Sequence, residues 1–200
     1  MRSPWERALG ADASNLVPGL RAYFGAIPAG HVGRGSGTFE VVGTPRRWLW
    51  PLLGILAREQ VVFPAWERDV PFTIENRPTR HGTVRARRTF HFRGGDLTMI
   101  DEVGIASCGL VDRLGRSGSV SARLHARVVD GHLELRSTAA TLRLGSIRVP
   151  LGPLSPRVHL VERALADGQH VSLTLDLPFI GRLYEYAGAF HYSVEGDARG

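Results

Sequence analysis

Hydrophobic and polar residues alternate strictly between Val84 and Phe92. Valine, alanine and phenylalanine occupy one face of this segment, and arginine, threonine and histidine occupy the other. A period of two is typical of a half-buried β-strand. Arg88 breaks the pattern because it falls on the apolar face. A guanidinium inside a sheet costs on the order of several kcal/mol unless an acid, a carbonyl or a ligand meets it. The pattern therefore indicates either a buried ion pair or a polar occupant.

The same alternation continues along most of the chain after Val61. It predicts strands over residues 70–76, 83–92, 97–105, 109–114, 119–128, 132–138, 157–165, 170–177 and 182–194. Short turns such as Asp130-Gly131 join them. Nine to ten such strands with one apolar face predict an antiparallel β-barrel or a strongly curved sheet. Eight or more strands leave an interior for one small ligand.

The first quarter of the chain predicts helices. Ser3, Pro4 and Glu6 match a capped helix start, and a second helix is expected over residues 16–24. A third helix is expected over residues 46–59, with Pro51 kinking it or shifting its start. Its apolar residues cover too broad a face for one stripe, so we expect it to be deeply buried or to cover the mouth of a cavity.

These elements predict a single domain over residues 1–200. Residues 1–60 form a helical cap and a first strand, with two or three helices capping one opening, and residues 61–195 form the barrel. Prolines and glycines interrupt residues 142–156, which predicts an irregular crossing or an edge. That edge leaves a homodimer open.

Composition excludes several classes of protein. The cationic residues are all arginine, and they are spread along the chain rather than clustered, which argues against nucleic-acid binding despite the formal charge of +6. Cys108 is the single cysteine, so no internal disulfide forms. The first 25 residues lack the apolar run of a signal peptide, and residues 48–57 are too short to span a bilayer. We expect a cytoplasmic protein without a nucleic-acid or membrane partner.

Two short patterns suggest sites that their context does not support. Gly33-Arg34-Gly35-Ser36-Gly37 resembles a phosphate loop, but a strand over residues 38–42 follows it instead of a helix. We expect a flexible loop over residues 25–37. His159 and Glu162 lie three residues apart on a strand, so they point to opposite faces and predict no metal site. No cofactor is expected.

Polar side chains on otherwise apolar faces are the remaining candidates. The candidates for catalysis are Arg88, Asp101, Asp112, Glu162 and Tyr186. The candidates for ligand contact are Trp48, Phe72, Asn76, Phe90, Met99, Tyr184, Phe190 and Tyr192. Arginine, carboxylates and tyrosines together orient a polar group or move a proton.

These residues leave three functions open, all based on the barrel interior. In the first, a carrier or sensor binds a small, largely apolar molecule whose head group Arg88 anchors. In the second, a cofactor-free cyclase or isomerase acts on a polyketide-like substrate: Arg88 or a tyrosine polarises a carbonyl, and Asp101, Asp112 or Glu162 is the base. In the third, a structural or interaction module has a packed interior with an Arg88–Asp101 pair.

The order of several short motifs also carries a resemblance. Asp69-Val70-Pro71-Phe72, Arg88-Thr89-Phe90 and the run from Gly181 to Phe190 resemble a bacterial domain family of unknown function. That family also occurs fused behind saccharopine-dehydrogenase-like, NAD-binding modules. The resemblance implies no shared activity and no catalytic residues. This sequence contains no dinucleotide-binding module, and its acids at Asp101 and Glu102 depart from the family pattern.

Overall fold

A computed structural model describes residues 2–197, and its helices lie in the first third of the chain. The α-helices are α1 (Pro4–Leu9), α2 (Pro18–Phe24) and α3 (Trp50–Arg58), with 3-10 turns at Gly10–Asn15, Arg47–Leu49 and Gly152–Leu154. The Ser3 hydroxyl accepts the Glu6 N–H at 3.0 Å, while the Ser3 N–H donates to the Glu6 carboxylate at 2.7 Å. The predicted capping box is confirmed. No helix within residues 2–197 is both long and apolar enough to cross a membrane.

The strands follow the predicted order and are mostly longer than predicted. They are β1 (His31–Gly43), β2 (Trp66–Glu67), β3 (Val70–Pro78), β4 (Val84–Phe92), β5 (Gly95–Ala106), β6 (Gly109–Leu114), β7 (Val120–Val129), β8 (His132–Leu144), β9 (Ile147–Pro150), β10 (Arg157–Ala164), β11 (Gln169–Leu177) and β12 (Gly181–Gly196). Asp130 and Gly131 both have positive φ, as a tight two-residue hairpin requires.

Ten of these strands close into an antiparallel barrel. Each pairs with its sequence neighbours, β12 pairs with β1, and β10 pairs with β8 to complete the ring. The closing pairing covers four registered residues of each strand, from His159 opposite Arg136 to Glu162 opposite Leu133. Strands β2 and β9 lie outside the ring on β1 and β8. The predicted fold class, a mainly β barrel with N-terminal helices, is confirmed.

The helices lie at opposite ends of the barrel. Helices α1 and α2 cover the end where β7 turns into β8, and the Val17 N–H donates to the Gly131 carbonyl there at 3.0 Å. We call this the cap end. At the other end, the Glu59 carbonyl after α3 accepts from Arg116 N–H at 2.7 Å. We call this the α3 end. Two of the three predicted helices therefore cap one opening, and the third lies across from them.

Aromatic rings fill the interior towards the α3 end. Phe39, Phe72 and Phe90 contact one another with centroids 4.4–5.4 Å apart, and Phe63 and Tyr186 extend the group. Edge-to-face pairs at these distances add to the stabilisation from burial alone. We call these five residues the aromatic cluster.

The glycines of residues 33–37 lie inside β1, so the expected flexible loop is wrong. Gly33, Gly35 and Gly37 face the interior. A Cβ on Gly33 would overlap the Tyr192 hydroxyl, and a Cβ on Gly37 would overlap the backbone of Ala189 and Phe190. Strand β1 therefore begins at His31, well before the predicted residue 38. Glycine in a strand marks a place where another group approaches closely.

Helix α3 is less buried than its composition predicted. It begins at Trp50, with Pro51 in its first turn, so the proline shifts the start of the helix. Leu53 is fully buried, whereas Trp48, Leu52 and Ile55 are 64%, 46% and 62% exposed. Of the two placements expected for this helix, deep burial is wrong, because the segment packs on the barrel through one face only.

Residues 142–156 are more regular than predicted. Strand β8 runs on to Leu144, and β9 returns beside it with Ile147 opposite Leu144. In the described chain β9 pairs with β8 alone. The predicted edge is confirmed, and the crossing is a short hairpin followed by a 3-10 turn.

An ion network spans the outside of the closing seam. Glu134 on β8 accepts hydrogen bonds from Arg127 on β7 and Arg136, both at 2.6 Å, and lies 2.7 Å from His159 on β10. Burial raises the pKa of Glu134, but the hydrogen bonds from Arg136, Arg127 and His159 outweigh it and hold the pKa at about 2. The network therefore joins the two strands whose pairing completes the barrel.

Gly37→Ala tests whether close approach explains the glycines of β1. We expect a loss of about 1–3 kcal/mol in the free energy of unfolding, because the added methyl meets backbone that cannot turn away. Gly54→Ala in α3 is the matched control: open space surrounds that position, and alanine favours a helix by about 0.5–1 kcal/mol. Chemical denaturation measures both. Equal effects of the two substitutions would contradict the packing explanation.

Glu134→Gln tests the seam. Because the pKa is lowered from 4.5 to about 2, the stabilisation is present above pH 4.5 and is lost as the pH falls towards 2. We expect the variant to be less stable by on the order of 1–2 kcal/mol at pH 7, since the arginine partners are half exposed and screened. The difference should vanish near pH 2. Denaturation at several pH values, with exposed Glu40→Gln as control, checks this.

Candidate functional site

Buried polar side chains gather in the interior between the aromatic cluster and the cap. They come from seven barrel strands and from α2. We call them the polar layer: Tyr23, Asn76, Arg88, Asp101, Asp112, Glu162, Gln169 and Tyr192. Each strand member belongs to the inward-facing set of its strand, so the period-two pattern places it here.

The centre of the polar layer is an ion pair between neighbouring strands. Arg88 on β4 lies opposite Met99 on β5, and Asp101 lies opposite Ala86, so the two charged residues are diagonal neighbours. Arg88 Nη1 contacts Asp101 Oδ1, with side-chain exposures of 21% and 3%. Ala86 is small enough to let the guanidinium extend across its strand. The Arg88–Asp101 pair predicted for a structural or interaction module with a packed interior therefore forms.

A second carboxylate lies beside this pair. Asp112 on β6 is opposite Val103, which makes it the diagonal neighbour of Asp101 on the next strand. Burial raises the pKa of Asp112 to about 6, and the nearby positive charge of Arg88 opposes the rise. At neutral pH Asp112 is mostly ionised, and it can accept a proton under mildly acidic conditions.

A third carboxyl group comes from the other side of the barrel. Glu162 on β10 accepts a hydrogen bond from the Gln169 amide on β11. Burial raises the pKa of Glu162 to about 8, although Arg88 and the Gln169 bond lower it in part. Glu162 is therefore protonated at neutral pH. The site holds one carboxyl group that can donate a proton and another that can accept one.

The glycines of β1 make room for the next contact. Asn76 on β3 donates to the Tyr192 hydroxyl of β12 at 3.3 Å, and Gly33 lies between their strands, paired with Asn76. Because a Cβ at Gly33 would overlap the tyrosine hydroxyl, this hydrogen bond depends on glycine at that position. The residues that resembled a phosphate loop are thus part of the site for a steric reason.

The cap supplies one member of the polar layer. Tyr23 on α2 packs against Tyr192 and Phe190, with ring centroids 4.7 and 5.7 Å away. Burial, together with the neighbouring Glu162, raises the pKa of Tyr23. Tyr23 therefore reaches down from the helix into the barrel and closes the polar layer from above.

A small cavity lies at the border between the polar layer and the aromatic cluster. Its volume is about 30 Å³, and Tyr23, Arg88, Glu162, Tyr186 and Phe190 are among the residues lining it. A water molecule needs about 10–15 Å³ of such volume, whereas pockets for small organic ligands are about 300–1,000 Å³. With the cap in this position, the interior has room for water-sized molecules.

Three buried acceptor oxygens of the polar layer are unpaired. Asn76 Oδ1, Asp101 Oδ2 and Asp112 Oδ1 have no hydrogen-bond partner within residues 2–197. Each unpaired buried group costs about 1–3 kcal/mol, so native proteins usually match such atoms with a donor. In the same residues, no three His, Cys, Asp or Glu side chains meet at metal-binding distance. The unpaired atoms call for hydrogen-bond donors.

The structure brings most of the predicted site residues inside the barrel. Phe72, Phe90, Met99 and Phe190 are buried beside the polar layer or in the aromatic cluster. Tyr184 is buried farther towards the α3 end, against Phe63. Tyr186 belongs to the aromatic cluster, and burial raises its pKa to about 12. Trp48 is not part of the group, because its side chain lies in solvent outside the barrel.

Sequence reasoning missed two members of the polar layer. Tyr23 looked like an ordinary apolar-face residue of a helix, and its position on the face shared with Leu20 and Phe24 was the available signal. Gln169 directly follows the Asp167-Gly168 turn, so it looked like a turn residue. Both belong to the interior because of how α2 and β11 pack on the barrel.

A larger concavity lies on the outer face of the sheet. It encloses about 690 Å³ and is formed mainly by outward residues of β12, β1, β3 and β4, with Gly35, Ile74 and Tyr192 also in its lining. Its charges neutralise one another, since Arg34 pairs with Glu75 at 3.6 Å and Glu195 at 3.3 Å. Because the groove is shallow and internally paired, the polar layer is the better candidate site.

Comparison with known proteins settles the family. Residues 16–190 match the family described as Domain of unknown function (DUF4166). The chain belongs to this family. No curated protein and no solved structure is similar enough to match. The predicted resemblance to a domain of unknown function is confirmed, and the DUF4166 match covers nine of the ten barrel strands completely and β12 as far as Phe190. The fusion to NAD-binding modules stays a prediction.

Glu162→Gln tests the state of the buried carboxyl group in this DUF4166 domain. The folded pKa of about 8 lies above the ordinary 4.5, so the stabilisation from the protonated group is present below pH 4.5 and is lost as the pH rises to 8. Glutamine imitates the protonated form and still accepts from Gln169. We expect similar stability at pH 4 and a variant that is more stable by about 2–5 kcal/mol at pH 8. Denaturation at both pH values measures this, and equal pH slopes for the two proteins would contradict it.

Proposed function

We propose that this DUF4166 barrel binds a small molecule in the polar layer, beneath the cap. The ligand carries hydrogen-bond donors on a polar head and has an apolar body. The observation that carries the proposal is the set of unpaired acceptors on Asn76, Asp101 and Asp112 next to the charged Arg88. A donor-bearing head would satisfy those oxygens, and the apolar body would lie against Phe72 and Phe190 of the adjoining wall.

Binding a molecule larger than water requires the cap to move. Tyr23 lines the same cavity as Arg88 and Glu162, so its withdrawal with α2 would enlarge the cavity. A further cavity of about 200 Å³ lies within the cap, between Leu9, Leu16 and Phe24. Incomplete packing there lowers the cost of displacing α2. In this proposal the protein is a carrier or a sensor, and Arg88 orients the head group.

Acid–base chemistry is the second candidate, and the ionisation of the carboxyl groups favours it. Asp112 and Glu162 both lie within electrostatic reach of Arg88, but their pKa values are about 6 and about 8. Separated pKa values are typical of residues that act as base and acid. A cofactor-free isomerase or cyclase would hold a carbonyl of a polyketide-like substrate at Arg88. Asp112 would take a proton from the adjacent carbon, and Glu162 would return one elsewhere.

The third candidate is an interaction module whose interior has only a structural role. The cavity of about 30 Å³ favours it. In that case the polar layer would hold only waters, and replacing the ion pair with apolar residues would have no effect beyond stability. A ligand test on variants of known stability separates these functions.

Arg88→Met and Arg88→Met/Asp101→Leu form the test. The single variant leaves a buried carboxylate without its partner, and we expect a loss of about 3–5 kcal/mol in stability. The double variant removes both charges and should regain most of that stability. We expect native mass spectrometry of the wild-type protein, purified from its own cells, to show a bound small molecule that the folded double variant lacks.

The enzyme candidate has its own outcome. Glu162→Gln should keep the bound molecule and abolish its conversion. A wild-type protein without any bound molecule, together with a fully stable double variant, would contradict the binding proposal and support the packed module.

A further inference from the structure

Exposed apolar side chains concentrate at the α3 end. Trp48, Leu52 and Ile55 form one face of the α3 segment, and Phe179 in the β11–β12 turn is 99% exposed. The β9 hairpin and the 3-10 turn after it add Ile147, Val149 and Leu154. We call these seven residues the apolar rim. Large apolar side chains exposed together at one end of a folded domain indicate a candidate site of interaction.

Arginines accompany the apolar rim without acids beside them in the sequence. Residues 44–58 contain Arg46, Arg47 and Arg58, residues 143–157 contain Arg143, Arg148 and Arg157, and neither segment contains Asp or Glu. Within residues 2–197, none of these six arginines is in an ion pair with a carboxylate. Four acids of the same end have other partners: Glu59 contacts Ser117, Glu67 contacts Arg93, Asp96 contacts His91 and Asp176 contacts Arg182. A fifth acid, Asp69, lies exposed between β2 and β3.

The two ends of the barrel differ in their exposed apolar side chains. Among the described residues, the large exposed apolar side chains of the cap end are Val129, Leu165 and Val194, and none is more than 47% exposed. Five members of the apolar rim are more than 60% exposed. The α3 end therefore combines protruding apolar residues with arginines that lie outside ion pairs. This is the combination found on proteins that rest on anionic membranes, where apolar groups enter the interface and arginines meet the lipid phosphates.

We propose that the α3 end attaches this protein to the surface of a bilayer rich in anionic lipids. Charge argues against a second copy of the chain as the occupant. A second copy would bring the same six arginines against each other, which is repulsive. The proposal differs from the expectation of no membrane partner, which rested on the absence of a spanning segment, because attachment to a surface requires none.

Vesicle co-sedimentation of the whole chain tests the proposal. Vesicles of phosphatidylcholine with about one-third phosphatidylserine should bind the protein at low salt, and binding should weaken as salt screens the arginines. Vesicles of phosphatidylcholine alone should bind it weakly. We expect Ile55→Ser/Phe179→Ser and Arg143→Ser/Arg148→Ser each to lose about tenfold in affinity for the anionic vesicles.

The matched control is Leu165→Ser/Arg80→Ser. Leu165 is 47% exposed, and both positions lie in turns of the cap end, so this variant should bind as the wild type does. All four side chains of the two test variants are exposed, and equal thermal unfolding temperatures will show that the variants fold. Quenching of tryptophan fluorescence by brominated lipid should diminish in Trp48→Phe while vesicle binding is largely kept.

Three outcomes would overturn the proposal. The first is that the wild type does not sediment with anionic vesicles at low salt. The second is that Arg143→Ser/Arg148→Ser loses binding while Ile55→Ser/Phe179→Ser does not. The surface would then bind anions without entering a bilayer. The third is that the wild type forms a dimer in the absence of lipid and that Ile55→Ser/Phe179→Ser dissociates this dimer. The apolar rim would then bind a second copy of the chain.

Discussion

Closure of the ten-strand ring through β8 and β10 is the constraint on which the rest of the structure depends. The pairing is short, with four residues of each strand in register, yet it decides which side chains share the interior. Residues on the two faces of β10 have opposite surroundings as a result. His159 joins Glu134 in the ion network outside the seam, and Glu162, three residues later, lies inside beneath the cap. One segment thus contributes both to closure and to the candidate site.

The polar layer is a consequence of enclosure by this ring. The same carboxyl groups on an open sheet would be hydrated and ordinary in their ionisation. Inside the barrel, burial raises the pKa of Asp112 to about 6 and that of Glu162 to about 8. Small residues give the larger polar groups their space: Ala86 lets Arg88 reach Asp101, and Gly33 lets Tyr192 reach Asn76. The hydrogen bonds and the ion pair of the polar layer therefore depend on small neighbouring residues that leave space for them, as well as on the partner side chains themselves.

The two ends of the barrel have different chemistry. At the cap end, α2 places Tyr23 against Tyr192 and in the lining of the cavity beside the polar layer. At the α3 end, the aromatic cluster fills the interior while the surface exposes Trp48, Ile55 and Phe179. Under the two proposals a ligand enters beneath the cap while the opposite end rests on a lipid surface, so neither process obstructs the other.

The sequence by itself determined the order of the strands, the inward face of each and the presence of polar residues on those faces. Period-two alternation states which residues share a side, and Arg88, Asp101, Asp112 and Glu162 follow from parity alone. Only the tertiary structure decided how these faces meet. Gly33 to Gly37 look like a loop until the approach of Tyr192 and Phe190 shows why the strand needs glycine. The burial of α3 and the insertion of Tyr23 depend on contacts between residues far apart in the chain, and local pattern contains no information about such distances.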